Sequence, residues 1–209
     1  MHNRLVIAVD GPAASGKGTL AKKLAQHFDL PHLDTGALYR ATALAMLHSK
    51  ADPADAQAAE QAARALDLSA LDDEALRSEE VGQTASVLSA HPGVRAALLQ
   101  CQRDFAAQAQ GAVLDGRDIG TVICPDATVK FYIEASVEVR ANRRFLQLQA
   151  MGNGPDYAQV LADLTARDAR DMGRSNAPLK PAADALTLQT DALNAEQVFA
   201  AALAHMQPL

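Results

Sequence analysis

No stretch of this chain is apolar for long enough to cross a bilayer, and the opening residues MHNRLVIAVDG hold an apolar run too short for a secretory signal. Cysteine is scarce: Cys101 and Cys124 stand alone, without the spacing of a metal site or a redox pair. These absences lead us to expect a cytoplasmic protein with two reduced thiols and no membrane role. Internal repeats and low-complexity tails are missing. So is a surplus of positive charge: the net charge of -6 argues against a nucleic-acid or acidic-membrane surface.

What is present suits one folded domain with room for an inserted lobe. The chain has 209 residues, 49% of them hydrophobic and 21% charged. Its cations are unevenly chosen. Of 19 basic residues 13 are arginine, and six of those fall between Arg140 and Arg174. A guanidinium offers a planar fork to phosphate oxygens, so the bias points to phosphate recognition, with a solvated helical face as the alternative.

The stretch RLVIAVD (Arg4–Asp10) reads as a buried parallel strand ending at Gly-Pro. After Gly16, KGTLAKKLAQHF places Leu20, Leu24 and Phe28 on one helical face. Between them lies a glycine-rich loop, Gly11, Pro12, Ala13, Ala14, Ser15, Gly16, Lys17, Gly18, Thr19, in the context a phosphate loop needs. Its backbone N–H groups and the helix N-terminus would cradle phosphates, with Lys17 reaching the outer ones. The hydroxyl stands one place later than in G-x-x-x-x-G-K-[ST], at Thr19.

Further strands are expected near Leu30–Gly36, from Ala112 with a turn at Gly116, at Ala127–Ala135 (Val129, Phe131 and Ile133 alternating) and at Ala185–Thr190. Helices are expected at Ala37–His48, Val137–Met151, Tyr157–Arg174 and in AEQVFAAALAHM. Ala51–Glu80 reads as helical and mostly exposed, and Pro92-Gly93 as a break in a helical pattern. Five strands alternating with helices predict an α/β fold with a mostly parallel sheet, a helical insertion over 37–109 and a charged flap over 137–175.

At the carboxyl edge of such a sheet, where ligands bind, two strand-ending carboxylates are expected. Asp115 and Asp34 are candidates to organise Mg²⁺ and its waters beside the loop, although Asp also caps turns. Helical spacing brings Arg140 beside Arg143 and Arg144, and puts Arg167, Arg170, Asp171 and Arg174 on one face. Three Arg and one Asp are too many cations for simple salt bridging; the face calls for an anion.

With DGPAASGKGT, LDTGALYR, SVLSAHPGVRAALLQCQR, DGRDIGT, RANRRFLQL, RDARDMGRSNAPL and PAADALTL in hand, the sequence resembles the bacterial-type cytidylate kinases, a branch of the nucleoside monophosphate kinases. The resemblance covers nearly the whole chain, and DGRDIGT and the Arg-rich segment before APL are its most specific parts. In such kinases the loop typically reads G-K-G-T, which accounts for Thr19. The resemblance implies a P-loop core with a five-stranded parallel sheet, a monophosphate-binding insertion and a lid. It implies transfer of the ATP γ-phosphoryl group to CMP or dCMP by a Mg²⁺-dependent monomer that needs no nucleic acid.

By the same resemblance, Thr35, Arg40 and Arg117 hold the acceptor's phosphate region; Ser86, Arg95 and Asp118 line the pyrimidine; Arg167 and Asp171 meet the sugar; Arg174 touches the monophosphate. Arg140, Arg143 and Arg144 belong to the lid over ATP. The catalytic set implied is Lys17, Arg117, Asp115, Arg140 and Arg144, with Arg143 on ATP and with Thr19, Asp34 and Asp115 near the metal, partly through water. Cytosine presents an amine at N4 where uracil presents a carbonyl, so a carboxylate such as Asp118 would favour the former. The alternative is that Asp118 pairs with a neighbouring arginine such as Arg117.

Two departures stand out. Thr35 replaces a common Ser but keeps the hydroxyl, and Ala51–Glu80 is short and lacks a strand-forming Gly-containing piece. A kinase for UMP, AMP or a non-nucleotide acid would share the loop without needing Ser86, Arg95 and Asp118 together. A GTP switch would need N-K-x-D, which is absent.

Overall fold

The structure, a computed structural model, describes residues 4–67, 74–152, 154 and 156–206. Its centre is a five-stranded parallel sheet in the order β2-β3-β1-β4-β5. The strands are β1 (Leu5–Asp10), β2 (His32–Asp34), β3 (Gly111–Gly116), β4 (Val129–Glu134) and β5 (Leu186–Gln189). All five fall where the alternation of apolar runs predicts them. β1 is central and its side chains are buried on both faces, which is why it reads as one continuous apolar run. Ile7 and Val9 pack with Phe131 and Ile133 against helices α1 (Lys17–Phe28) and α8 (Ala195–Met206). Val6 and Ala8 pack on the opposite face with Leu114, Ile119 and Ala106.

Between β2 and β3 lie α2 (Thr35–His48), α3 (Ala56–Arg64), a 3₁₀ turn (Glu74–Arg77), α4 (Glu79–Leu88) and α5 (Pro92–Ala106). They close around an apolar core of their own, built on Leu38, Met46, Leu88, Val94 and Leu98. Pro92 does more than break a helix. It occupies the first turn of α5, where its missing N–H costs nothing. The Ala51–Glu80 stretch is less exposed than expected, because Ala59, Ala63 and Leu76 are buried against this core, whereas Leu68 and Leu71 lie outside the described residues. After β4 come α6 (Val137–Ala150) and α7 (Tyr157–Gly173), packed through Ala141, Leu148, Val160 and Leu164.

The turn after β3 was not foreseen. Residues Ile119–Ile123 form one π-helical turn, and its first two N–H groups donate to the Asp10 carboxylate at 2.8 Å each. Asp10 therefore hangs the DGRDIGT segment from the end of β1. Burial raises its pKa to about 7 against the pull of those two donors and of Lys17.

Candidate active site

The carboxyl ends of β1, β2 and β3 open into a chamber of about 400 Å³. Its floor is the loop between β1 and α1. Gly16 caps α1 in the left-handed conformation, leaving the first N–H groups of the helix without a side-chain partner. Lys17 lies across the loop, 3.3 Å from the Pro12 carbonyl. Burial and the nearby Arg117 guanidinium push its pKa down to about 7, although Asp115 and Asp34 pull the other way. That balance leaves Lys17 short of negative charge.

Eight cationic side chains line the chamber against five carboxylates. Four pairs form: Arg40–Asp34 at 2.7 Å, Arg117–Asp171 at 2.8 Å, Arg144–Glu79 at 2.7 Å, and Arg95–Asp118. The surplus is concentrated on α7. The Nε of Arg167 is buried with no hydrogen-bond partner, and burial next to Arg117 drives the group down to about 10. Arg174 donates to the Ala177 carbonyl and Ser89, while its buried second terminal nitrogen makes no hydrogen bond and stands 3.7 Å from Asp118. Buried guanidinium nitrogens aimed at empty polar space require acceptors.

The expected acceptor-side residues converge here. Thr35, Arg40, Ser86, Arg95, Arg117, Asp118, Arg167, Asp171 and Arg174 all line this chamber. Asp118 pairs with Arg95 rather than with Arg117, which goes to Asp171. Arg117, Arg167 and Arg174 together hold Asp171 below the usual carboxylate range, although burial alone would raise it. The Thr35 hydroxyl donates to the Asp115 carbonyl at 2.8 Å, an arrangement that leaves room only for glycine at 116.

The three arginines of α6 part company. Arg140 is buried and bracketed by the Ala135 and Ala13 carbonyls and the Asp168 carboxylate. Arg143 donates to the Ser15 and Thr190 carbonyls. Only Arg144 lines the chamber. Thr19 and Arg143 line a smaller cavity of about 240 Å³ on the other flank of the loop, with Ser15, Thr190 and Asn194.

Of the metal candidates, Asp34 and Asp115 are brought together as register partners across β2 and β3. Thr19 is not with them. His32 holds one Asp115 oxygen at 2.8 Å and Arg40 holds one of Asp34, while Asp115 Oδ2 faces Gly18. Among the described residues no group of three or more His, Cys, Asp or Glu could hold a metal ion alone. Two carboxylates with free oxygens beside a phosphate loop do fit a cation whose other ligands are phosphate oxygens and water.

His32, Tyr39, Asp10 and Asp168 escaped the sequence reading. The Tyr39 ring lies 5.9 Å from the Arg95 guanidinium carbon. His32 had a signal: two residues before Asp34, it shares that residue's strand face.

A cradle of backbone N–H groups facing unneutralised arginine is built for a polyanion, and a glycine loop in that place on a parallel sheet makes this a P-loop nucleotide-binding protein. Relatives narrow the class. The profile of the family "Cytidylate kinase" matches residues 7–208. Proteins named cytidylate kinase from Rhodopseudomonas palustris (strain TIE-1), Methylocella silvestris and Azorhizobium caulinodans are 59%, 57% and 57% identical to it, over 92%, 95% and 96% of this chain and 91%, 92% and 97% of theirs. The chain belongs to the cytidylate kinase family. Two solved structures share its fold: one from Eubacterium ventriosum with TM-score 0.59 at 13% identity, covering 98% of this chain and 99% of that one, and one from Chloroflexus aurantiacus with TM-score 0.52 at 19% identity, covering 100% and 98%.

Proposed function

We propose that the enzyme transfers the γ-phosphoryl group of ATP to CMP or dCMP, releasing ADP and the pyrimidine diphosphate. The observation that carries this reading is the surplus of buried arginine on α7 facing the phosphate loop, in a chain of this family. The P–O bond to the β-phosphate breaks as an acceptor phosphate oxygen bonds to the γ-phosphorus. No general base is required, because the acceptor phosphate is already an anion at neutral pH.

In this reading the triphosphate lies along Gly11–Thr19, with its base toward the cavity of Thr19, Arg143 and Thr190. The acceptor phosphate meets Arg40, Arg117 and Arg174, its sugar Arg167 and Asp171, and its base Ser86, Arg95 and Asp118. Lys17, Arg117 and Arg144 oppose the charge that spreads over the transferring group, and such positioning and charge opposition is most of phosphoryl-transfer catalysis. Arg140 holds the loop through Ala13. Asp115 and Asp34 would hold Mg²⁺ mainly through water, and the ion would neutralise phosphate charge. Segment 37–109 serves as the acceptor lobe and 137–175 as a lid whose closure excludes water. We further propose a cytoplasmic monomer; no helix among the described residues is long and apolar enough to cross a membrane.

The test is ADP release with Mg-ATP over CMP, dCMP, UMP, AMP and shikimate, with and without EDTA. Turnover confined to CMP and dCMP and abolished by EDTA is expected. Equal use of UMP removes the base selectivity, and no acceptor-dependent ADP removes the kinase reading.

A further inference from the structure

Along one face of α4, Glu79, Gln83 and Ser86 recur at i, i+4 and i+7 and form a continuous polar chain between the lid helix and the chamber. Arg144 donates to Glu79 Oε2 at 2.7 and 3.2 Å; Gln83 Nε2 donates to Glu79 Oε1 at 3.1 Å. Arg170, on α7, donates one N–H to Gln83 Oε1 at 3.0 Å and its Nε–H to Ser86 Oγ at 3.2 Å. The direction of every bond is forced. A carboxylate only accepts and a guanidinium only donates, so the amide must turn its nitrogen to Glu79 and its oxygen to Arg170. The hydroxyl at the end of the chain receives a donor from Arg170, so its own hydrogen must point elsewhere.

Ser86 is buried at 3% exposure and lines the chamber, and no acceptor among the described residues takes its hydrogen. Arg170 does not line the chamber. We propose that Arg170 is a positioning residue for base selection: by donating to Ser86 Oγ it commits that hydroxyl to donate into the acceptor chamber, so the ring edge read there must accept. The inference rests on the proposed placement of the pyrimidine beside Ser86. Cytosine offers two acceptors, N3 and O2, on that edge, whereas uracil carries a hydrogen on N3. A hydroxyl released from Arg170 is free to rotate and accept from it.

The experiment compares kcat/KM for CMP and UMP in wild type, Arg170→Met, Arg170→Lys, Ser86→Ala and the Ser86→Ala/Arg170→Met double variant. Calorimetric titration of each enzyme with CMP and UMP gives a readout independent of turnover. Arg170→Met keeps the aliphatic stem and should lower the CMP-to-UMP ratio about tenfold, with Arg170→Lys recovering most of it. In the Ser86→Ala background, Arg170→Met should add nothing. If Arg170→Met leaves the ratio intact while Ser86→Ala lowers it, or lowers it equally in both backgrounds, Arg170 does not act through Ser86 and the inference is overturned. If Ser86→Ala itself leaves the ratio unchanged, the placement of the base fails, and the inference with it.

Discussion

Arg140 on α6 and Asp168 on α7 meet at 2.5 Å, and the same guanidinium reaches 3.3 Å to the carbonyl of Ala13 in the phosphate loop. One buried ion pair thus ties two lid helices to the floor of the chamber. Breaking a buried pair leaves a stranded charge and costs about 3–5 kcal/mol. Arg140→Ala should lower unfolding free energy by an amount in that range and weaken ATP-analogue binding. Asp168→Asn should do so less, since an amide oxygen still accepts. A denaturant titration of both variants decides it; no loss in either would mean the bracket contributes nothing.

Lys17 supplies a second prediction. In the free enzyme its pKa is about 7, against an ordinary 10.5, because burial and Arg117 disfavour its charge. A bound triphosphate supplies the missing anion and restores it. Binding at pH 8 should therefore take up roughly 0.9 proton, and affinity should fall as pH rises above about 7. Calorimetry in buffers of different ionisation enthalpy measures the uptake, and Lys17→Met should abolish it.

Asp10 and Asp171 should bend the stability curve in opposite senses. Asp10 is raised from 3.8 to about 7, so the folded state holds its proton more tightly, and its contribution declines as pH rises from about 4 to 7. Asp171 is held below 3.8 by its arginines, so its contribution is full above that value and lost as pH falls through its lower folded pKa. Asp10→Asn should flatten the first slope only. An unchanged slope between pH 4 and 7 would show that Asp10 does not titrate there.

A methyl group at Gly116 would stand 2.5 Å from Thr35 Oγ1 and 2.8 Å from Ile119 Cδ1. Gly116→Ala should push Thr35 off the Asp115 carbonyl, at about 1–3 kcal/mol of overpacking, and raise KM for the acceptor more than for ATP. Equal effects on both constants would place the damage elsewhere.

Much of this was legible because its signals are local. β1, the glycine loop and α1 are contiguous, and period-2 alternation in Val129, Phe131 and Ile133 marks one buried face of β4. The arginine bias announced a phosphate site, and the resemblance assigned residues that the fold then gathered into one chamber. What escaped depends on partners far along the chain. Arg140 and Arg144 are four residues apart on one helix, yet one braces Ala13 while the other faces the chamber. Asp10 caps a turn 109 residues away, and spacing within a segment carries no trace of that. Thr19 sits on the far flank of the loop from Asp115 because a helix turns about 100° per residue from Lys17 onward.

The separate apolar core of α2–α5 has a consequence for how the molecule breathes. Elements that bury their side chains chiefly among themselves open as a cooperative unit, with an opening free energy below that of global unfolding. Amides near Leu88, Val94 and Leu98 should therefore exchange with solvent together, and sooner than those of the β1–β3–β4 ladder. In that view the cytidylate-kinase chain is two foldons sharing one sheet edge, and occupancy of the chamber between them would be read as a merging of their exchange rates.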